Sequence, residues 1–581
     1  AIVGYDTMAA MCKDIKPKKD EDPRQFEYRQ EDLQRARRCL QDPGPDVLVL
    51  DEAHGLKNSR SHKHQVISAV RTKRRVALTG TPLQNNLMEY HVMVSLVRGP
   101  VLGSSAEFKK RFQDPIDNGL MVDSEPRDVK RMKRRLFVLN KEIKDFVLRR
   151  DETLLARECP GKTEYLVVAK LQPLQRRLYE GYFRVAKPKA VEAHMALLRL
   201  GNHPSTHLCN DNKVGHALLN RRPSPVPVSE GWDWAHETDQ LLDGSDAGAA
   251  SLSSKVVLFL EILTESLERG DKVVVFTQSL ATLDYLQHVL QTDTWGSYLP
   301  QKDEKRGAWQ NETEFFSIQG GDSAQERQRL VEKFESCKDR ARLFLLSTKA
   351  GNVGINLVSA NRVVLFDTSW NPAQDRQALF RCFRFGQDKH VYIYRLVAEG
   401  FEKRVHARAA QKNFLALRVV DDKAFERMYN GDELGNAMRL EEGPMRVDSA
   451  SDDEEEEVVE APPEPPEDEV LAAVLERRSS MVASAIATDT LLVENDAERL
   501  EKGEEADAID EYERERDGRP TRAEEERIAE MRRQREAEAA QREAAAREAR
   551  ERAAREKAAP LPAGWTRHRN TGPTAAVKPY Y

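Results

Sequence analysis

Apolar residues recur in short runs: DVLVLD at 46–51, RVALTG at 75–80, KVVVFT at 272–277, EFFSIQ at 314–319, RLFLLST at 342–348, RVVLFD at 362–367 and VYIYRLV at 391–397. Between the runs, apolar positions take amphipathic helical spacing. Alternation of this kind predicts buried parallel strands joined by crossover helices. The runs form two groups, one before about residue 150 and one from about 256 to 425. The polar, Pro-bearing stretches NHPSTHLCNDNKVGH (202–216) and RRPSPVPVSEGWDWAHETDQ (221–240) separate them and predict a connecting or inserted region.

After about residue 430 the apolar periodicity fades. The run SDDEEEEVVEAPPEPPEDE (451–469) repels itself and is expected to be disordered. From Thr521 to Lys557 the chain is almost wholly Arg, Glu and Ala. Thr521 with Glu524 predicts a capping box, and Glu543/Arg547 and Glu548/Arg552 are favourable i,i+4 pairs. Ile528 and Met531 are the larger apolar residues there, too few for a heptad seam, so a single solvated helix is expected rather than a coiled coil.

Composition adds bounds. The 581 residues leave room for several domains, and 40% apolar with 32% charged residues fits a globular first part followed by a solvated tail. The net charge of −6 averages opposed regions and says nothing of partners. Six scattered cysteines without a C-x-x-C pair fit a reducing compartment, and no apolar run approaches the length of a membrane span. The chain opens without Met on AIVGYDTM, an apolar run that reads as a strand and as a start cut into a domain.

Chemistry enters at DVLVLDEAHGLKN (46–58). A strand ending in Asp51 and Glu52 sets two carboxylates at the carboxyl edge of a parallel sheet, where ligands of such sheets bind. In a nucleotide hydrolase the first acid holds Mg²⁺, usually through water, and the second orients the attacking water. A bare Asp-Glu pair would be an acidic turn; the apolar run before it and Ala53-His54 after it narrow the reading. In VALTGTPLQNNLMEY (76–90) a second strand brings Thr79, Gly80 and Thr81 to the same edge, within reach of His54, and a helix is expected from about Asn86. In STKAGNVGINL (347–357), Gly351 and Gly354 lack a Cβ and allow close approach of backbone to a phosphate. In SWNPAQDRQALFRCFRFGQ (369–387), Gln377, Arg381 and Arg384 are spaced i, i+4, i+7 and are expected on one helix face, two fixed cations suited to a γ-phosphate.

Together these four motifs resemble those of the Swi/Snf family of chromatin-remodelling ATPases, within the superfamily 2 helicases, over about residues 1–425. DPGPDVLVLDEAH, LQNNLMEYH, RFGQ and LRVVD (417–421) resemble the ATRX-like branch. The resemblance implies an α/β fold of two RecA-like lobes with parallel sheets, ATP and Mg²⁺ as cofactors, and translocation along double-stranded DNA on nucleosomes in the nucleus. It implies Glu52, Arg381 and Arg384 as catalytic, Asp51 as the metal carboxylate, and His54, Thr79, Gly80, Thr81, Gln377, Gly351 and Gly354 as nucleotide-coupling. Lys349 and Asn356 are implied as DNA contacts. The expected division is 1–155 for the first lobe, 156–254 between lobes, 255–425 for the second lobe, 426–518 acidic and mostly disordered, 519–558 a long helix, and 559–581 a tail.

The family's Walker A loop, G-x-x-x-x-G-K-[ST], does not occur in the 581 residues. Gly161-Lys162-Thr163 follows the acids instead of preceding them and has Ala156 at the loop's first Gly position, so Lys162 is rejected as the phosphate lysine. The first lobe is therefore expected to be truncated, and the polypeptide to hydrolyse little ATP. The basic runs at 109–112 and 130–135 read equally as phosphate contacts and as solvated helix surface. His203 with His207 makes a poor metal site, and by resemblance NHP is a structural turn. LPAGWTRHRN near the C-terminus resembles the opening of a WW domain without its second Trp. Two other functions stay open: a superfamily 2 RNA helicase, and a non-catalytic chromatin scaffold that binds protein partners through the acidic segment and long helix.

Overall fold

A computed structural model describes residues 1–19, 22–121, 123–150, 153–185, 190–207, 248–292, 308–337, 339–348, 354–420, 466–488, 499–501 and 503–558. These fall into two compact units, 1–505 and 506–581, each described by itself. The possible WW opening, most of the acidic run, Lys349 and Gly351 lie outside the described residues.

The first group of runs builds a small lobe. Helices α1 (Tyr5–Met11) and α2 (Pro23–Leu40) precede strand β1 (Leu48–Leu50), and α3 (His62–Ser68) leads to β2 (Arg75–Ala77). β1 and β2 pair in parallel, Leu48 opposite Arg75 and Leu50 opposite Ala77. Leu50, Ala53 and Leu56 pack with Met8, Cys12, Val66 and Ile67 on one face, while Val47, Val49, Val76 and Leu78 are exposed on the other. The strand expected in AIVGYDTM is instead the opening of α1: Gly4 is its extended N-cap, and Met8, Ala9 and Cys12 make a helical stripe that the sheet buries. Helix α4 (Leu87–Arg98) starts as expected, its first turn capped by the Asn86 side chain, which accepts from the Glu89 N–H. Short helical turns then lead to α5 (Pro126–Ile143).

The second lobe is a seven-stranded sheet, and helices α6 (Pro173–Val185) and α7 (Ala190–Asn202) follow its first strand in the chain. Its strands are β3 (Lys162–Ala169), β4 (Val273–Thr277), β5 (Phe315–Ile318), β6 (Leu343–Ser347), β7 (Arg362–Leu365), β8 (Val391–Ala398) and β9 (Val482–Ala487), in the order β5-β6-β4-β7-β8-β3-β9. All neighbours are parallel except β3 and β9, which are antiparallel. Alternate residues serve opposite faces. Val273, Val275, Leu343 and Leu345 pack under helices α8 (Ser254–Glu268) and α9 (Leu280–Gln291). Val274, Phe276, Phe344 and Leu346 pack under α10 (Ala324–Ser336) and the segment that follows α11 (Pro372–Leu379). After β8, α12 (Phe401–Val420) runs back toward α5.

Two strands of this sheet come from outside the expected second lobe. β3, in the region read as a connection, begins at Lys162, so the G-K-T triplet is the entry to a strand. The region 426–518, read as mostly disordered, contains α13 (Glu469–Arg478) and β9. Val470, Leu471 and Val474 of α13 are fully buried on the α8 face of the sheet, and burying each side chain stabilises by about 1.5–3 kcal/mol. Its N-cap Asp468, 1% exposed, forms ion pairs and hydrogen bonds with Arg362 and with Tyr394 Oη.

In the second unit, α14 (Glu505–Arg516) and α15 (Arg522–Ala558) are tied by Arg514, 3.1 Å from Asp510 and 2.8 Å from Glu525. The capping box forms: Thr521 N–H donates to Glu524 at 2.9 Å and Glu524 N–H to Thr521 Oγ1 at 3.3 Å.

Candidate functional site

β1 ends in the two carboxylates, and the turn there is sharp. Glu52 adopts a left-handed backbone (φ 47°, ψ 46°) and donates its N–H to Asp51 Oδ1 at 2.9 Å. A non-Gly residue in that region costs about 1–2 kcal/mol, and such strain concentrates at functional sites. Both acids are exposed at the sheet edge. Tyr5 donates to the Asp51 carbonyl at 2.5 Å, and its phenol is pushed up to about 12, by burial first and then by the Asp51 and Glu52 charges. The Ala53 N–H donates to the Leu78 carbonyl and the Leu78 N–H to the Leu50 carbonyl, which draws the second strand's end against the first.

That pairing brings His54 to Thr79. His54 Nδ1 lies 3.2 Å from Thr79 Oγ1 and 3.2 Å from Glu52 Oε2. Burial lowers the imidazole's pKa, and the Glu52 charge opposes this. Thr81 N–H donates to Thr79 Oγ1, and Thr81 Oγ1 accepts from Gln84 Nε2 at 2.9 Å. Gly80 is exposed between them.

Gln84 is the residue that the sequence did not single out. It is 5% exposed, and its Oε1 accepts from Lys57 Nζ at 2.6 Å and from Asn371 Nδ2 of the second lobe at 3.2 Å. Lys57 also pairs with Glu89 at 3.2 Å. A second bridge runs from Lys412 Nζ to Asn85 Oδ1 at 3.4 Å and to the Trp370 carbonyl at 3.2 Å. A signal was present: Lys57, Gln84 and Asn85 are polar residues set among the apolar positions that follow each strand. What they join is a matter of the other lobe's placement.

A cleft of about 380 Å³ opens between the lobes, lined by His54, Lys57, Gln84, Asn371 and Gln377 among others. Gln377 lies on α11, but that helix ends at Leu379, so Arg381 and Arg384 do not continue its face as expected. Phe380 caps the helix, and the Arg381 and Cys382 N–H groups bond to carbonyls three residues back while Cys382 and Phe383 turn into the core. Burial of those two side chains outweighs the helical repeat. Arg381 still comes under the influence of the first lobe: burial, then Arg384, works against its protonation, and Glu52 works for it. Arg384 donates to Asn356 Oδ1, so the amide expected to touch DNA holds an arginine of the cleft. Gly354 is exposed with open space where a Cβ would stand.

Asp51 fits an ion held mainly by water and ligand phosphates, as Mg²⁺ is. Among the described residues no group of three or more His, Cys, Asp or Glu is placed to form an all-protein cage. His203 is structural: its ring stacks on Tyr285 at 4.1 Å and Nε2 lies 3.0 Å from the Ala249 carbonyl. Of the basic runs, Arg111 pairs with Glu107 and Arg135 is 1% exposed in the interior.

Residues 2–213 match the SNF2-related domain family, and residues 254–386 the helicase conserved C-terminal domain family. The chain is 35% identical over 448 residues to Protein CHROMATIN REMODELING 20 of Arabidopsis thaliana, covering 70% of this chain and 30% of that protein. It is 34% identical to the Transcriptional regulator ATRX homolog of Drosophila melanogaster (68% and 37% covered) and 36% identical to Helicase ARIP4 of Homo sapiens (69% and 31%). It thus spans about a third of these relatives' lengths. The Sulfolobus solfataricus SWI2/SNF2 ATPase core in complex with dsDNA aligns with a TM-score of 0.32 at 24% identity, over 68% of this chain and 71% of that one.

Proposed function

The chain belongs to the Swi/Snf family, among its ATRX-like members, and from that premise we propose that it is the motor portion of an ATP-dependent double-stranded DNA translocase that remodels chromatin in the nucleus. The observation that carries the reading is the cleft between the lobes, lined by His54 and Gln84 beside the Asp51–Glu52 turn and by Asn371 and Gln377 of the helix that leads to Arg381, with the Glu52 charge favouring the protonated Arg381 guanidinium. In this reading Asp51 holds Mg²⁺, which supplies charge neutralisation to the phosphates when bound. Glu52 orients the attacking water. Arg381 and Arg384 face the charge that develops on the transferred phosphoryl group, a role worth about 10³–10⁵ in rate. Gln84 and Asn371 tie the lobes, so closure of the cleft on nucleotide passes to the surfaces of both. β3 and residues 466–488 are assigned to the second lobe, and 1–155 to the first.

The sequence G-x-x-x-x-G-K-[ST], whose backbone and lysine cradle the β- and γ-phosphates, does not occur in the 581 residues. A polypeptide of these residues is therefore expected to show no DNA-stimulated ATP turnover. Joining a segment that carries G-x-x-x-x-G-K-[ST] ahead of Ala1 is expected to produce turnover stimulated by duplex DNA. Stimulation by single-stranded RNA instead would favour an RNA helicase. Silence with every nucleic acid would favour a scaffold, and robust turnover by the 581 residues alone would overturn the role given to the loop.

A further inference from the structure

We propose that Ser480, in the turn that joins α13 to β9, is a phosphorylation site for an ATP-dependent serine kinase that selects arginine ahead of its acceptor, and that the phosphate opens the clasp holding these two elements on the second lobe. Neither a nucleotide in the cleft nor DNA is needed for it.

Residues 477–481 read Arg-Arg-Ser-Ser-Met, which sets two arginines three and two positions before Ser480 and an apolar residue directly after it. Kinases of basic specificity recognise such a spacing by charge, holding the guanidinium groups against carboxylates of their peptide groove. The spacing R-R-x-[ST] occurs at one other place, Arg221 to Ser224, where Pro225 follows the acceptor and the residues lie outside those described.

Ser479 and Ser480 are exposed in a 3₁₀ turn, Ser479–Met481, immediately after the last residue of α13. The same two arginines clasp α13 to α8. Arg477 pairs with Glu265, and Arg478 with Glu261 at 2.7 Å. Glu261 is 2% exposed and Glu265 6%, so both carboxylates depend on these partners. Burial works to raise the Glu265 carboxyl, and hydrogen bonds from Arg269 and Arg477 more than offset it, holding it below the usual range. Recognition and clasp thus compete for one pair of side chains. The kinase takes them when the end of α13 opens locally.

In the transfer, Ser480 Oγ bonds to the γ-phosphorus of ATP, the bond from that phosphorus to the β,γ-bridging oxygen breaks to release ADP, and the hydroxyl proton passes to the kinase's base. The product carries about −1.5 to −2 units of charge at the C-terminal end of α13, where the helix dipole is also negative. It draws Arg477 and Arg478 away from Glu265 and Glu261 and leaves buried carboxylates short of partners. Each effect opposes reclosure, so the phosphate holds open what the kinase found open, and β9 loses its hold on the β3 edge.

The test treats the full 581-residue chain with the catalytic subunit of cyclic-AMP-dependent protein kinase and labelled ATP, maps the label by peptide mass spectrometry, and follows deuterium exchange across residues 470–487. Label is expected on Ser480, lost in Ser480→Ala and kept in Ser479→Ala. Glu261→Gln, which weakens the clasp, is expected to speed labelling by about threefold or more, and the phosphorylated chain to exchange its β9 amides about tenfold faster than the unmodified one. Label confined to Ser479 or Ser224 overturns the site, and so does a chain that takes up no label. An unchanged labelling rate in Glu261→Gln, or unchanged exchange after phosphorylation, keeps the site and overturns the clasp. Label mapping and exchange on the wild-type chain need no replacement, so a variant that fails to fold leaves both decisions in place.

Discussion

Glu52 holds a left-handed backbone that its side chain type does not favour, and the cost is confined to one residue at the edge of one strand. Glu52→Gly is therefore expected to raise stability by about 1 kcal/mol in urea denaturation while abolishing turnover in a chain supplied with a phosphate loop. An unchanged rate would remove Glu52 from the catalytic role. Gln84 poses the opposite case. It is buried, and its amide serves Thr81, Lys57 and Asn371 together. Gln84→Ala leaves three groups short of a partner and is expected to cost about 1–3 kcal/mol, read as a lower urea midpoint; Asn371→Ala, on a part-buried donor, is expected to cost less. The carboxylates were legible because a strand followed by Asp-Glu is a local pattern. Gln84 was not, because its importance lies in a partner 287 residues away.

α13 and β9 show how an element escapes composition. Their sequence follows a run of acids and prolines, and β9 reads VASAIA, which is poor in the branched and aromatic residues that mark strands. The period of Val470, Leu471 and Val474 is short and faint against that background, yet the sheet face it covers is large and apolar. Leu471→Ala is expected to destabilise by about 2–5 kcal/mol, and Asp468→Ala by about 1–3 kcal/mol because Arg362, still paired with Asp271, loses one of its two buried carboxylates. Arg547→Ala on α15, at an exposed pair with Glu551, is expected to change stability by less than about 0.5 kcal/mol. Equal effects in thermal melts would mean that α13 and β9 add nothing to the stability of the second lobe. The motif that ends in Arg384 teaches the same lesson at a helix end. Spacing alone predicts a continued face, whereas burial of Cys382 and Phe383 bends the chain into turns after Leu379.

Across the first unit, two buried histidines contribute to acid sensitivity. His194 is 7% exposed, and neither ring nitrogen finds a hydrogen-bond partner among the described residues; burial lowers its pKa, with Asp367 opposing. His406 is pushed down to about 3, by burial first and then by Arg395. Both groups bind protons more readily unfolded than folded. Their contribution is therefore whole above about pH 6.5 and lost as pH falls from there toward the folded values. The melting temperature is expected to drop between pH 7 and pH 5, and His194→Phe is expected to flatten that drop. A profile indifferent to this change would show that His194 is not the sensor.

Local chemistry was enough to establish the α/β class, the seven strand runs, the order of the four motifs and the capped solvated helix. Each depends on residues within one turn or one strand, where period, capping and turn geometry act over short distances. The membership of β3 and β9 in the second sheet, the helical start at Tyr5, the end of α11 and the Lys57–Gln84–Asn371 bridge were settled by packing. Their energies come from apolar faces and polar partners far apart along the chain, and no local pattern records which distant surface will bury them.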